Sequence, residues 1–250
     1  MKAIIFAAGK GTRLKPFTDS HPKALAPVCG KPMLGRVIEK LIAAGADGIV
    51  VNVHHFASQV IDFIESRNFP VPIEISDESG LLLETGGALA KIARESQILK
   101  SINANESIIV HNCDIYTDFP INEMCMASQG VEGVLLTDPS RQTSRKFLFD
   151  SAGCLCGWTN ESNGAVRPSA INPNLFSHEA FGGVHCIHRH TLDNINLYCG
   201  NELHPFSVVD YYIDVCAAKG TIKAFTPTKS FRWIDIGTAE HLAQVQNIIL

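Results

Sequence analysis

The sequence predicts an α/β protein with a Rossmann-like, doubly wound sheet that is mixed and mainly parallel. Two patterns indicate this class. In the first half of the chain, short and almost continuous apolar runs alternate with segments of helical spacing, and strands buried on both faces are typical of parallel sheets covered by helices. In the second half, strand-like runs follow one another across a tight turn, which indicates a small antiparallel subdomain.

The first half contains predicted strands and helices in alternation. The helix from Pro32 to Ala44 is the clearest of them, because proline is favoured in a first helical turn and Gly45 lies just beyond the last turn. Each predicted strand is a short apolar run between helices. The strands are Lys2–Ala7, Gly48–Val53, Val71–Ser76 and Ser107–His111, and the other helices are Phe56–Ser66 and Gly86–Leu99.

The second half differs, because its predicted strands come before its helices. Ser151-Ala152-Gly153 is a turn sequence between two of these strands. No long linker separates the two halves, so we predict one domain over residues 1–250. The strands are Gly133–Thr137, Arg145–Asp150, Leu155–Thr159 and Ala180–Ile187, and the helices are Ser207–Ala218 and His241–Ile249.

The composition excludes several classes of protein. Hydrophobic residues make up 46% and charged residues 18% of the 250 residues, which excludes a disordered chain. The net charge of −4 argues against a nucleic-acid binder, and no apolar run approaches the roughly 20 residues of a membrane span. The 8 cysteines include no Cys-x-x-Cys pair, which predicts reduced thiols and a cytoplasmic location. The apolar start ends at Ala8 and predicts a strand, not a signal peptide.

A glycine-rich basic loop, Ala7-Ala8-Gly9-Lys10-Gly11-Thr12-Arg13, follows the first strand. Small residues and glycines allow backbone N–H groups to approach a phosphate closely. Basic residues outnumber the single acid, Asp19, from Lys10 to Lys31, so the loop predicts a clamp for a polyphosphate. A dinucleotide-binding turn, as in an NAD-dependent dehydrogenase, is disfavoured because Leu14 stands where its third glycine would fall.

Two aspartates at predicted strand ends are candidate metal ligands. Asp114 follows Asn112-Cys113 at the end of the fourth strand, and Asp235 alternates with apolar residues in Trp233-Ile234-Asp235-Ile236. Ligands of open α/β sheets bind at the carboxyl ends of the strands, and Mg²⁺ in phosphoryl transfer is held by one or two carboxylates plus phosphate oxygens. A capping role is the alternative for both aspartates, although Thr238 is the better cap for the last helix.

These segments together resemble one known family. AAGKGTRLKPFT and HPKALAPVCGKP look like the signature of the sugar-1-phosphate nucleotidyltransferases, and the segments around Asp114 and Asp235 are similar to that family's metal-binding motifs. The resemblance runs from Lys2 to about His241 and implies the nucleotide-diphospho-sugar transferase fold. It implies condensation of a sugar 1-phosphate with a nucleoside triphosphate, with Mg²⁺, or Mn²⁺ in its place, as cofactor. The nucleotide-binding half would be about residues 1–115 and the sugar-phosphate-binding half about 116–250.

The resemblance also implies roles for individual residues. Arg13 contacts the β,γ-phosphates, Lys23 contacts the α-phosphate, and Asp114 and Asp235 bind the metal ion; Arg13, Lys23 and Asp114 are the implied catalytic residues. The implied nucleotide-binding residues are Ala7, Ala8, Gly9, Gly11, Thr12, Glu78, Thr85, Gly86, Gly87 and Asn112. The implied sugar-phosphate-binding residues are Asn160, Gly182, Gly183 and Trp233. The oligomeric state, monomer or dimer, is left open.

In the family, the loop after the third predicted strand recognises the nucleobase. Glu78 corresponds to a base-contacting residue of the family, and Glu84 stands where the family usually has glycine. A carboxylate accepts from uracil N3 or guanine N1 and N2, so it restricts the base without fixing it. The Leu83–Gly87 run is most similar to N-acetylmuramate-1-phosphate uridylyltransferases, and mannose- or heptose-1-phosphate guanylyltransferases are the alternative. Packing alone is a second interpretation of Gly86-Gly87.

The sugar end departs from the family's pattern. Trp158-Thr159-Asn160-Glu161 stands where the family often has Glu-Lys, so the lysine that meets the sugar phosphate is missing there. Arg145 or Lys146 is a candidate to supply the charge. The pair Gly182-Gly183 suggests close approach of a ligand to the backbone, or packing beside Phe181. A nucleotide-sensing module without catalysis is the rival of another class; both aspartates and Lys23 count against it.

Overall fold

A computed structural model describes residues 1–138 and 141–249, and this part of the chain contains fourteen strands and eight α-helices. The strands are β1 (Lys2–Phe6), β2 (Pro27–Val28), β3 (Lys31–Pro32), β4 (Ile49–Val53), β5 (Ile73–Asp77), β6 (Ser107–Asn112), β7 (Ile115–Thr117), β8 (Gly133–Asp138), β9 (Arg145–Phe149), β10 (Leu155–Asn160), β11 (Ala165–Arg167), β12 (Ser177–His188), β13 (Ile222–Phe225) and β14 (Trp233–Asp235). The helices are α1 (Met33–Ala43), α2 (Ala57–Glu65), α3 (Glu84–Glu95), α4 (Gln97–Lys100), α5 (Ile121–Ala127), α6 (Arg189–Cys199), α7 (Val208–Tyr211) and α8 (Ala239–Ile249).

The central strand of the main sheet is β1, which pairs in parallel with β4 and β6, and β4 pairs in parallel with β5 at one edge. Beyond β6, the long strand β12 runs antiparallel and connects the sheet to β8 and β9. From β9 the sheet continues through β10 to β11 in antiparallel pairs. The doubly wound α/β class with a mixed sheet and an antiparallel addition is therefore confirmed.

Helices cover both faces of the parallel strands. On one face, α1 presents a stripe of buried apolar side chains at helical spacing, and this stripe packs on the sheet together with α2 and α5. On the other face, α3 and α6 pack against each other and against the apolar side chains of β1 and β6. The stripe of α1 consists of Met33, Leu34, Val37, Ile38 and Leu41. Each such side chain contributes about 1.5–3 kcal/mol through burial.

Two observed helices, α5 and α6, were not predicted, and two predicted helices differ from the observed ones. The predicted helix Gly86–Leu99 is divided at Ser96, whose backbone is extended and whose hydroxyl accepts the N–H of Leu99 as the cap of α4. The predicted helix Ser207–Ala218 begins as α7, with Ser207 as its cap, and continues into a π turn over Tyr212–Cys216. Both differences come from local hydrogen bonding, which the spacing of apolar residues does not reveal.

Two small sheets that the sequence did not predict organise the loops. β2 and β3 form a short hairpin within the basic loop, and β7 pairs with β14 in antiparallel fashion, with Asp235 opposite Ile115. The backbone N–H of Ile236 also donates to the Asp114 carbonyl over 2.9 Å. These strands contain two or three residues each, too short for a periodic signal, but β14 brings Asp235 beside Asp114.

The cysteines and the helices bear on the cellular compartment of the protein. Seven cysteines carry free thiols in the described part of the chain, and the side chain of Cys216 lies outside it. Among the helices of residues 1–138 and 141–249, none has both the length and the apolar character that a membrane crossing requires.

Two buried histidines make the stability of the fold depend on pH. His185 is 1% exposed, and neither ring nitrogen has a hydrogen-bond partner in the described residues. Burial lowers its pKa to about 3, and burial lowers the pKa of His111 to about 4 although the ring bonds to the Asn112 carbonyl. A base whose pKa is lowered on folding stabilises the fold above its unfolded pKa, and this contribution is lost as the pH falls.

We expect His185→Leu to remove part of the acid sensitivity. Between pH 6.5 and pH 5 the neutral, buried His185 costs the wild type about 1.5 kcal/mol of unfolding free energy, because the unfolded chain takes up a proton and the folded chain does not. Urea unfolding at the two pH values measures this loss. His21→Leu, at an exposed histidine, is the control and keeps the wild-type loss. Equal losses in wild type and His185→Leu would contradict the assignment.

Candidate active site

Two adjoining cavities open at the carboxyl ends of the parallel strands, and both are lined by Asn112 and Asp114. We call them the loop cavity and the sheet cavity. The loop cavity, about 410 Å³, lies between the glycine-rich loop and the start of α3; its polar lining includes Lys23, Asn52, Glu78, Glu84, Thr85 and Ser207. The sheet cavity, about 270 Å³, lies over the antiparallel strands; its lining includes Arg141, Thr143, Arg145, Trp158, Gly183, Trp233 and Asp235.

The start of the glycine-rich loop is fixed by a hydrogen bond to β4. The N–H of Ala7 donates to Asn52 Oδ1 over 2.8 Å, which fixes the end of β1 against the end of β4. Gly11 has a φ of 62°, and a Cβ there would lie 2.8 Å from Lys23 Cβ, so this position requires glycine. Ala7, Ala8 and Gly9 line the loop cavity. The loop thus places its backbone and the Lys23 side chain on the same cavity wall.

Lys23 lies between the two aspartates. Its side chain is 10% exposed, and its Nζ is 2.5 Å from Asp114 Oδ2 and 3.8 Å from Asp235 Oδ1. Asp114 comes from the end of β6 and Asp235 from the end of β14, so the pairing of β7 with β14 creates this arrangement. The structure therefore brings together three groups that are far apart in the sequence, where the two cavities meet.

Arg13 lies at the outer side of this cluster. Its guanidinium is 3.6 Å from Asp235 Oδ2, and its side chain is 66% exposed. Gly237 permits this approach, because a Cβ there would lie 2.7 Å from Arg13 Nη2. Gly11, Thr12 and Arg13 are not part of the loop-cavity lining, so the predicted clamp contributes Ala7, Ala8 and Gly9 from its start and Lys23 and Ala24 from its later part.

The two aspartates are the groups that could hold a metal ion. Both direct an oxygen at the Lys23 ammonium, and oxygen ligands are what Mg²⁺ prefers. Within residues 1–138 and 141–249, no group of three or more His, Cys, Asp or Glu side chains could enclose a metal by itself. A metal at this place would take its other ligands from water or from a bound substrate, and phosphate oxygens are suitable ligands for Mg²⁺.

Glu78 is a buried support for the loop. It is 2% exposed, its Oε1 accepts from Asn52 Nδ2 over 2.9 Å, and its Oε2 accepts from the Leu83 N–H over 3.1 Å. Burial raises the pKa of Glu78 above its ordinary value, and the bonds from Asn52 and Leu83 lower it. Glu78 thus orients Asn52, which in turn holds Ala7. Asn52 was not predicted as a site residue, because its only signal in the sequence is a polar side chain at the end of a buried strand.

The start of α3 separates the expected base-contacting residues into two groups. Glu84 is exposed, lines the loop cavity and has a φ of 57°, in the region that favours glycine. Thr85 also lines the cavity, and its hydroxyl accepts the Val208 N–H over 3.0 Å. Gly86 and Gly87 instead direct their N–H groups at the Phe206 carbonyl over 2.8 and 3.4 Å. The structure thus places Gly86 and Gly87 in packing contact with the 204–206 segment, outside the cavity lining.

Gly182 and Gly183 lie at a bulge in β12. The register shifts between Phe181 and His185, Gly183 has a φ of 71°, and a Cβ on Gly182 would lie 2.8 Å from Leu136. Gly183 lines the sheet cavity, whereas Gly182 packs on β8 and its carbonyl accepts from Trp233 Nε1 over 2.7 Å. The pair therefore serves the chain's own packing as well as the cavity wall.

The predicted cations of the sheet cavity occupy different places. Lys146 is 8% exposed and donates to the Arg141 carbonyl over 2.9 Å, while the exposed Arg145 lines the cavity. Asn160 lies outside the lining, at the end of β10, where its Oδ1 accepts from the Ser162 N–H and hydroxyl. Arg141, which stacks on Trp233, was not predicted as a site residue, because its only signal in the sequence is one basic residue in a polar loop.

The fold and the site define an α/β protein with a cavity beside two carboxylates at the carboxyl ends of its parallel strands, the place where open α/β sheets bind ligands. The sequence profile described as nucleotidyl transferase matches residues 2–141, more than half of the chain. The chain belongs to the nucleotidyl transferase family.

Named relatives fall into two groups. The chain is 29% identical to mannose-1-phosphate guanylyltransferase 1 of Arabidopsis thaliana over 242 residues, which cover 95% of this chain and 61% of that protein. It is 42% identical to N-acetylmuramate alpha-1-phosphate uridylyltransferase of Caulobacter vibrioides over 90 residues, which cover 35% of this chain and 37% of that protein. The chain thus spans less than two thirds of the length of both relatives.

Solved structures share the fold over the whole chain. HddC of Yersinia pseudotuberculosis matches with a TM-score of 0.72 and 22% identity, covering 100% of this chain and 99% of that one. A putative glucose-1-phosphate thymidylyltransferase of Bacillus anthracis matches with a TM-score of 0.75 and 19% identity, covering 99% and 94%. At these identities the matches establish the fold and nothing finer.

Proposed function

We propose that the protein condenses a sugar 1-phosphate with a nucleoside triphosphate to give a nucleoside-diphosphate sugar and pyrophosphate. The observation that carries the proposal is the position of Lys23 between Asp114 and Asp235, where the loop cavity meets the sheet cavity. Family membership and the names of the relatives agree with it. The loop cavity, built mainly from residues 1–115, takes the triphosphate, and the sheet cavity, built mainly from residues 116–250, takes the sugar phosphate.

The reaction is an in-line displacement at the α-phosphorus. An oxygen of the sugar phosphate forms the new bond, the bond to the β-phosphate bridging oxygen breaks, and its electron pair leaves with pyrophosphate. Lys23 stabilises charge on the α-phosphate, and Arg13 stabilises charge on the departing pyrophosphate. The attacking phosphate is already ionised, so no general base is needed, and catalysis is positioning and electrostatic stabilisation.

Asp114 and Asp235 would hold Mg²⁺, or Mn²⁺ in its place, together with phosphate oxygens of the substrate. The chemistry that the ion supplies when bound is neutralisation of the charge on those oxygens. Lys23 Nζ lies between the same two carboxylates, so binding of a triphosphate would draw this ammonium from Asp114 to the α-phosphate. The two aspartates then face the ion instead of the lysine.

We further propose UTP and an N-acetylmuramate-type sugar 1-phosphate as the substrates. The 42% identity with the uridylyltransferase supports this choice, and the 29% identity over 95% of the chain supports GTP with a mannose or heptose 1-phosphate as the alternative. Both bases present a ring N–H. Glu78 is buried and both of its oxygens already accept a hydrogen bond, whereas Glu84 is exposed at the cavity rim, so Glu84 is the carboxylate that would accept this N–H.

A pyrophosphate-release screen tests the proposal. It combines UTP, GTP, CTP and ATP with hexose, N-acetylhexosamine, N-acetylmuramic acid and heptose 1-phosphates. We expect release with UTP and N-acetylmuramate 1-phosphate and little with CTP or ATP, whose corresponding ring nitrogen accepts and repels a carboxylate. Triphosphate binding by calorimetry without release in any combination would contradict an enzyme and favour a nucleotide-sensing module.

A further inference from the structure

We infer that Arg141 binds the phosphate of the sugar 1-phosphate and so takes the role of the lysine that is missing at the end of β10, where Trp158-Thr159-Asn160-Glu161 stands. This inference rests on the proposed function and names the residue that would orient the attacking group. Arg141 lines the sheet cavity together with Asp114 and Asp235, the two aspartates whose carboxylates contact the Lys23 ammonium. A phosphate held by Arg141 would therefore lie next to the place where the α-phosphate is expected.

The guanidinium of Arg141 has a fixed position. Its Cζ lies 4.1 Å from the centre of the Trp233 ring, and its Nη1 donates to the Phe181 carbonyl over 2.5 Å. Trp233 is itself fixed by its bond to the Gly182 carbonyl. The bulge in β12 thus supplies two neighbouring carbonyls, one for each partner of the stack. Because the stack already sets the plane of the guanidinium, Arg141 loses little further conformational freedom when it binds a ligand.

The charge of Arg141 is available to an anion. In residues 1–138 and 141–249, no ion pair joins its guanidinium to a carboxylate, although Asp235, Asp138 and Asp114 are near enough to act on it. Partial burial lowers its pKa and these carboxylates raise it, and an arginine stays protonated at neutral pH. One N–H is used by Phe181, and the planar fork matches two phosphate oxygens.

The two other basic residues of this segment fit the role less well. Lys146 directs its ammonium at the Arg141 carbonyl, so it is a positioning residue that supports the Arg141 backbone. Arg145 is exposed at the mouth of the sheet cavity, and the described residues give its guanidinium no hydrogen bond or ion pair. An exposed side chain without contacts loses more conformational entropy on binding than one that is already stacked. Arg141 is therefore the anchor, and Arg145 is the matched comparison.

The test compares Arg141→Met, Arg141→Lys and Arg145→Met in the full chain, with UTP and N-acetylmuramate 1-phosphate or the best pair of the screen. We expect Arg141→Met to lower kcat/KM for the sugar phosphate about 10²-fold. Arg141→Lys, which keeps the charge and loses the planar fork, should recover part of this loss. The dissociation constant of the triphosphate, measured by calorimetry without sugar phosphate, should change less than about threefold in all three variants, and thermal melting verifies that each is folded.

The outcomes separate this inference from the proposed function. A wild-type protein that releases no pyrophosphate with any pair contradicts the proposed function, and with it the role of Arg141. A wild-type protein that turns over while Arg141→Met keeps its kcat/KM for the sugar phosphate overturns the role of Arg141 alone. Arg145→Met with the larger effect on that kcat/KM would transfer the role to Arg145. Equal losses of triphosphate and sugar-phosphate binding would make Arg141 a structural residue.

Discussion

Asp114→Ala is expected to abolish turnover while the protein stays folded. The variant removes the oxygen that lies 2.5 Å from Lys23 Nζ and one of the two carboxylates proposed for the metal ion. Without it the charge on the transferred phosphate is stabilised by fewer groups, and an enzyme of this kind works almost entirely by such stabilisation. Pyrophosphate release at saturating substrates and millimolar Mg²⁺ is the measurement.

Stability and a matched control make this result specific. The Lys23–Asp114 pair is partly exposed on the carboxylate side, so its loss should cost about 1 kcal/mol, or about 2–4 °C in Tm. Asp62→Ala removes an exposed aspartate of α2 that lines neither cavity, and it should keep wild-type activity. Turnover of Asp114→Ala within tenfold of the wild type would remove Asp114 from the mechanism.

Lys23→Ala is expected to reduce kcat about 10²–10³-fold, the usual loss when one charge-stabilising donor is removed. The variant also leaves Asp114 and Asp235 facing each other without the ammonium between them. Their mutual repulsion should lower the Tm, and Mg²⁺ should restore more of it than it does in the wild type. Steady-state kinetics and melting curves with and without Mg²⁺ measure both effects.

Lys15→Ala is the matched control for Lys23→Ala. Lys15 belongs to the same basic loop, but it is 64% exposed and pairs with Asp19 at the surface, so its loss should change kcat little. Equal losses in the two variants would mean that the loop acts through its overall charge. A Lys23→Ala enzyme with unchanged kcat would contradict the position assigned to Lys23.

The sequence predicted the class of fold because its signals are long. The buried runs of β1, β4 and β6 and the stripe of α1 persist over whole elements, so apolar runs identify the strands and helical spacing identifies α1. The pairing of β7 with β14 was not predictable in this way, since three residues have no measurable period. That pairing nevertheless places Asp235, so the motif indicated a residue whose position only the structure explains.

The site residues that the sequence analysis missed act through contacts between distant segments. Asn52 is one link of a chain from Glu78 to Ala7, and Arg141 depends on carbonyls of β12. These contacts join residues that are far apart in the sequence, so no local sequence pattern reveals them. Gly86 and Gly87 illustrate the reverse case, because a motif suggested ligand contact and the fold uses both for close packing against the 204–206 segment.

A crystal structure with Mg²⁺ and a non-hydrolysable analogue of the preferred triphosphate is the most direct measurement. We predict one ion with an oxygen of Asp114 and an oxygen of Asp235 at about 2.1 Å, and the Lys23 ammonium on the α-phosphate instead of on Asp114. An ion that neither aspartate touches, or a triphosphate bound away from the loop cavity, would contradict the account.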